Sequence, residues 1–309
     1  IAFIVFYFFY LDIVLIRSTQ LLPYGVSCSL ASCVSLKVRY EEIVKAIEVL
    51  KEIILWKLEV SLMAVINVNE LVKQKEYDFL REEKQLGDNI IFLVVAGSRA
   101  YGLSTPDSDV DIRGVALETP ETLFGLDNFE SYSDESTDTV IYSLKKFVQL
   151  TMKGAPNMLE LLYTRPEDII YVSPVGKLLL ENRDLFVSKR IYATIRGFTK
   201  NSLRRLEKDV LNNPKKANKD AMHLIRLYRE GIEVLKTGSF STYQTENISE
   251  LMAIRNGMYT YDNKLDLAFY DHITKLENEL EDAYQCSNAL HETVDRNRIN
   301  DLMIQIYCD

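Results

Sequence analysis

The run from Ile90 to Ala96 (IIFLVVA) contains no polar residue and is rich in β-branched side chains, with Asp88-Asn89 before it and Gly97 after it. Such a run predicts a strand buried on both faces, because a strand with one wet face would alternate polar and apolar positions. Beyond a polar loop, Ser104 to Ser108, the residues Asp109 to Leu117 predict a second strand. There Val110, Ile112 and Val115 suit a core, while Asp109 and Asp111 share the other face. Thr119-Pro120-Glu121 predicts a short helical turn with proline at its start. Thr137 to Tyr142 (TDTVIY) predicts a further strand that leads into a helix near Ser143.

From Pro156 onward the period changes. Apolar residues recur three and four apart in Asn157–Tyr163, Pro174–Asn182, Ile191–Val210, Lys219–Thr237, Ile248–Gly257 and Leu265–Cys286, which predicts a succession of amphipathic helices. The polar stretch Asn212 to Asp220 is expected to separate two of them. Together these patterns imply an α+β fold, a small mixed α/β domain over 63–165 followed by a mostly helical domain over 166–309.

The first 62 residues follow a different pattern and are read as an atypical extension. Ile1 to Ile16 is strongly apolar but contains Asp12 and falls short of the roughly 20 residues that span a bilayer. From Met63 the chain opens like an ordinary domain, so the residues before it are expected to be a translated upstream extension, the alternative being a membrane-associated leader. Tyr40 to Ala64 nevertheless carries helical spacing.

Composition narrows the functional classes. A net charge of −9 argues against a protein that coats nucleic acid by bulk charge, while leaving room for a local basic patch. Four cysteines, Cys28, Cys33, Cys286 and Cys308, show neither metal-ligand spacing nor the density of a disulfide framework, so a reducing cytoplasm is expected.

The segment Gly97 to Asp111 (GSRAYGLSTPDSDVD) carries the candidate chemistry. A glycine and serine at the end of a buried strand let the backbone approach a phosphate closely. Two aspartates one residue apart on a strand project from one face, so both could reach one divalent metal, whereas adjacent acids would point opposite ways. A Mg²⁺ ion, or Mn²⁺ in its place, takes carboxylate oxygens plus substrate phosphates, and paired ions clamp the attacking and leaving oxygens of phosphoryl chemistry.

Gly97-Ser98 followed by Asp109-Val110-Asp111 resembles the signature of the DNA polymerase beta nucleotidyltransferase superfamily. The longer string GSRAYGLSTPDSDVDIRGV is similar to the RNA-repair-pathway polymerase-beta-like branch. That likeness extends through Lys145-Lys146-Phe147, Pro156-Asn157 with Glu160-Leu161-Leu162, and Lys219 with His223 and Arg226. The resemblance implies a third carboxylate on a later strand, and Asp138 is the matching position, as general base or metal ligand. It also implies a nucleoside triphosphate (NTP) as donor and RNA ends as acceptor. A protein or small-molecule acceptor, or a nucleotide-binding module without turnover, stays open.

Other residues are candidates with competing readings. Ser98 could contact a phosphate or cap the next helix. Arg99 could offset phosphate charge, and Arg113 could do so or pair with a carboxylate. Tyr101 could stack on a base or close the loop as a lid. Lys219, His223 and Arg226 stand four and then three apart, so one helical face would offer three donors to a triphosphate, unless that face is merely solvated. Glu160 could sit near the site or in an interhelical salt bridge. His272 and His291 are expected at the surface.

Overall fold

The uninterrupted apolar run forms β1 over its expected length, Ile90–Ala96, and every residue but the last is buried. In the computed structural model, which describes residues 68–308 except 240, 262 and 263, β1 lies inside a five-stranded mixed sheet. The other strands are β2 (Asp111–Ala116), β3 (Ser131–Asp134), β4 (Thr139–Ser143) and β5 (Ile169–Val172), in the order β3-β4-β2-β1-β5. β1 pairs antiparallel with β2 and β5, β2 pairs parallel with β4, and β3 pairs antiparallel with β4. These connections bring the carboxyl end of β1 and the amino ends of β2 and β4 to one end of the sheet.

Both faces of β1 are covered, as an all-apolar strand requires. On one side Ile90 and Leu93 join Ile112, Ile141 and Phe129 under the turns that carry Tyr77 and Leu80. On the other, Phe92 and Val94 join the larger core under the helices. The helices there are α2 (Leu144–Thr151), α3 (Pro156–Leu162), α4 (Pro174–Glu181), α5 (Arg190–Asn212), α6 (Pro214–Thr237), α7 (Ile248–Arg255), α8 (Leu267–Cys286) and α9 (Arg296–Cys308), with α1 a single turn at Gly97–Ala100. α6 is the hub, burying Leu224, Ile225, Tyr228, Val234 and Leu235 against its neighbours.

The α+β class holds, with three differences in detail. The second strand starts at Asp111 rather than Asp109, because Pro106 to Ser108 form a turn whose Thr105 amide donates to Ser108 Oγ at 2.8 Å. Residues 214–220, expected between two helices, are the first turns of α6: Pro214 occupies the first helical turn and Asn213 caps it by accepting from the Lys216 amide. β3, β5 and α9 lacked a strong enough pattern to be predicted. All described residues belong to one compact unit, Val60–Asp309. The expected extension over 1–62, its apolar start and the helix expected over 40–64 lie outside the described residues. Among the described residues no helix is long and apolar enough to cross a membrane.

Candidate active site

The end of the sheet where β1 stops and β2 and β4 begin opens into a cavity of about 380 Å³. Asp111, the first residue of β2, stands opposite Ala96 across the β1–β2 ladder. Its carboxylate lies against Gly97 so closely that a Cβ there would come within 1.9 Å of Asp111 Oδ2. Gly97 also holds φ at +62°, a conformation that side chains disfavour. The glycine is therefore required twice, by the turn that ends β1 and by the acid it accommodates. The sequence suggested phosphate approach as its purpose; the structure adds the acid.

Asp138 precedes β4 rather than lying on it, with φ at +45°, a region that aspartate tolerates better than most residues. Arg113 ties this corner together. Its guanidinium donates to Asp138 Oδ1 at 2.8 Å and to the Asp138 carbonyl, and stands 3.6 Å from Asp111. Burial, then the neighbouring Asp138, pushes the Asp111 carboxyl up to about 6; Asp138 is lowered, chiefly because it accepts a hydrogen bond from Asp111. The two acids thus titrate as one unit that readily keeps a proton, the behaviour of like charges forced together. Such a pair suits a divalent cation, which would relieve the repulsion that the proton relieves here. Among the described residues no three His, Cys, Asp or Glu side chains stand close enough together to hold a metal alone. Asp109 lines the same cavity from the loop before β2 and is exposed. Mg²⁺ sites of this kind complete their shell with water and substrate phosphate, so a carboxylate pair is a sufficient protein contribution.

Gly97, Ser98, Asp109, Asp111, Asp138, Lys219 and His223 all line the cavity, together with Arg113 and Tyr101. Two predicted contacts do not. The Arg99 guanidinium faces the loop, donating to the carbonyls of Ser108 at 2.9 Å and Asp109 at 3.2 Å, so it braces the segment bearing the acids. Arg226 is 4% exposed and lies outside the cavity lining. It donates to Glu160 Oε1 at 2.9 Å and to Glu230, and stacks 3.6 Å from the centre of the Tyr101 ring. Burial opposes its charge, but Glu160 and Glu230 outweigh that and hold it ionised. Tyr101 donates to Glu160 Oε2 at 2.6 Å, and Gln244 Nε2 donates to Glu230. These bonds tie the loop after α1 to α3 and α6.

The three residues spaced along α6 thus differ in role although they share a face. From Lys219 to Arg226 the helix advances about 10 Å, from the exposed mouth to beneath the floor. His223, midway, is half-buried, and its imidazole is held down to about 3 by burial, then by Arg226, Lys219 and Arg255. It is a neutral imidazole at physiological pH and offers a hydrogen bond, not a charge. The charge of Lys219 reaches both Asp111 and Asp138.

Arg255, Asn157, Thr164 and Thr242 also line the cavity. Arg255 on α7 reaches Thr105 Oγ1 at 3.4 Å across 150 residues of chain. Nothing in its local sequence marks it, since only the tertiary fold brings it to the motif. His272 is half-buried with Nδ1 2.8 Å from Tyr259 Oη, and His291 is exposed.

The chain matches the model of the RNA repair pathway DNA polymerase beta family (RlaP) over residues 71–305. It belongs to this family. RlaP membership places it among nucleotidyltransferase-like proteins of the polymerase beta type, in agreement with the resemblance carried by the glycine-serine and Asp-x-Asp residues. The family match takes in the whole acid corner as well as Lys219, His223 and Arg255. An uncharacterised protein of Methanocaldococcus jannaschii is 25% identical over 234 residues, covering 70% of this chain and 93% of that protein. Shorter likenesses occur to an uncharacterised 38.9 kDa protein of Enterobacteria phage T4, 31% identical over 29% of this chain and 31% of that protein, and to Bacillus subtilis YcgL, 30% identical over 32% and 39%. A solved nucleotidyltransferase-like protein from Exiguobacterium sibiricum 255-15 is 9% identical over 71% of this chain and 75% of its own, with a TM-score of 0.26.

Proposed function

We propose that this RlaP protein is a metal-dependent enzyme that moves a nucleoside monophosphate from an NTP to a hydroxyl acceptor, an RNA end, and releases pyrophosphate. The observation that carries the reading is the convergence of Asp111 and Asp138 beside Gly97, two carboxylates that share the guanidinium of Arg113. Asp111 and Asp138, with Asp109 at the rim, would hold Mg²⁺ or Mn²⁺, which supplies charge neutralisation at the triphosphate and acidifies the attacking hydroxyl. Lys219 and Arg255 offer charge to the phosphates, and His223 and Ser98 offer uncharged hydrogen bonds. Asp138, whose side chain is 50% exposed, would take the proton of the incoming hydroxyl. The acceptor oxygen bonds to the α-phosphorus as the bond to the β-phosphate oxygen breaks.

The cavity volume lies near the lower end of the range for small-molecule sites, about 300–1,000 Å³. It suits one nucleotide, leaving the acceptor to approach from the open side at Asp138, which favours a large acceptor over an enclosed small one. The free thiols Cys286 and Cys308 suit a reducing, cytoplasmic setting. Incubation with each α-labelled NTP and Mg²⁺ or Mn²⁺, against RNA with a free 3′-hydroxyl, protein and small alcohols, tests the reading. Label on RNA with equimolar pyrophosphate supports it. Label only on protein or alcohol would reassign the acceptor, and tight nucleotide binding without pyrophosphate would remove the activity.

A further inference from the structure

A second, larger cavity of about 760 Å³ lies at the far end of the sheet. The parallel strands β2 and β4 begin at the acid corner, whereas this groove is bordered by residues that follow their carboxyl ends, Leu123-Phe124 and Lys145. Its floor is aliphatic, from Val148 on α2, Met152 just past the end of α2, and Met303 and Ile304 on α9. α9 is apolar on two adjacent sides. Ile299, Leu302 and Ile306 are buried in the main core, and one step around the helix Met303, Ile304 and Tyr307 border the groove. Ile304 is 54% exposed, and Phe124 on the opposite wall is 85% exposed. A helix needs one apolar stripe to pack on its own protein; Met303 and Tyr307 widen it at the partly buried edge of the core, and Ile304, left exposed beside an exposed phenylalanine, marks an interaction site.

The charges say what fits there. Lys145, Lys153, Arg190 and Arg296 line the groove and no aspartate or glutamate does, in a chain with 45 acidic against 36 basic residues. Among the described residues none of the four makes an ion pair, although many cations elsewhere do, Lys146 with Glu130 and Lys216 with Asp209 among them. Glu118, next to Lys145 and Tyr307, is occupied: its carboxylate accepts from the Lys145 amide at 3.0 Å and from the Tyr307 hydroxyl. An apolar trough between two helices, edged by unpaired cations, complements an amphipathic helix with acidic flanks. Ile299 to Tyr307 spans about 12 Å, two turns of α-helix, enough to seat anchors at i, i+3 or i+4, and i+7. The concave aliphatic floor suits a helix better than a flat lipid surface or a phosphate backbone.

We infer that this groove docks an acidic amphipathic helix of a partner protein, away from the acid corner and independently of its chemistry. The test pans the full chain against a display library of 18-residue helices with leucine at i, i+3, i+4 and i+7 and randomised flanking positions. Selected peptides are then measured by fluorescence anisotropy. Enrichment of aspartate and glutamate at the flanks is expected, with binding weakened at least 10-fold by Lys145→Glu with Arg296→Glu, and separately by Ile304→Glu. Asp111→Asn should bind as tightly as the parent. No enrichment, enrichment without acidic flanks, or peptides that bind the charge-reversed protein equally well would overturn the inference. So would stronger binding, lost in the same variants, to phosphatidylserine vesicles or to a single-stranded uridine oligonucleotide.

Discussion

Two charged clusters lie within the reach of one loop and have opposite designs. At the acid corner Asp111 and Asp138 meet beside a half-open cavity with Arg113, among the described residues, the one guanidinium paired with them, so negative charge is in excess. Behind the cavity wall, to which Tyr101 and Glu160 contribute, Tyr101, Glu160, Arg226, Glu230 and Gln244 form a buried network around one guanidinium, with Glu230 driven well above the ordinary carboxylate range mainly by burial. The first is left needing an external cation or proton; the second meets most of its needs internally. Residue type does not distinguish them, since both combine carboxylates with arginine. Access to solvent does, and the open cluster is the one that can exchange partners with a ligand.

The buried network should show the largest effect on stability. Arg226→Met leaves two buried carboxylates without their cation and is expected to cost about 3–5 kcal/mol, read as a lower midpoint in chemical denaturation. Adding Glu230→Gln should recover part of that loss, because it removes one of the stranded charges. If Arg226→Met unfolded at the parent's midpoint while abolishing nucleotide binding, the division between the clusters would be wrong.

Gly97→Ala comes next. It strains a left-handed backbone and drives a Cβ into Asp111 Oδ2, so a loss of about 2–3 kcal/mol is expected, with transfer reduced far more than stability alone would explain. Tyr101→Phe, which removes one hydrogen bond to Glu160, should cost about 1–2 kcal/mol and leave the pH profile of transfer unchanged.

The open cluster predicts a smaller, pH-dependent effect. Folding raises the Asp111 carboxyl from 3.8 to about 6. A carboxyl that binds its proton more tightly when folded lends stability that is complete below its unfolded value and is lost as pH rises through the folded one. Without divalent cations, stability should therefore fall between about pH 4 and 6. The lowered carboxyl of Asp138 acts in a separate window, lending stability that is lost as pH falls below its ordinary value of 3.8. Asp111→Asn should flatten the slope. A slope unchanged in that variant would place the titration elsewhere.

Sequence pattern revealed much of this because its strongest signals are local. β1 was legible to the residue, since seven consecutive apolar positions admit few alternatives. The helices from Pro156 to Cys286 were legible by period, apart from the start of α6, where a polar surface turn hid a capped helix beginning at Pro214. Gly97, Asp111 and Asp138 were legible as chemistry. The sequence left two things undecided. Short edge strands such as β3 carry four residues of mixed polarity, too few for a period. Depth along a helix leaves no trace in spacing, so Lys219, His223 and Arg226 looked equivalent although one is exposed at the mouth, one is a half-buried neutral imidazole and one is buried below. Arg255 was invisible for the same reason, its place being set by tertiary contact alone.

The central claim is that the acid corner performs metal-dependent nucleotidyl transfer while the network beneath it holds the frame. It is tested most directly by Asp111→Asn assayed in parallel for label transfer from NTP and for thermal unfolding. The account predicts transfer lowered about 10²- to 10³-fold, the scale of losing an electrostatic group at the reacting centre, with a fold as stable as the parent's or more so. Transfer within a few-fold of the parent in that folded variant would contradict it.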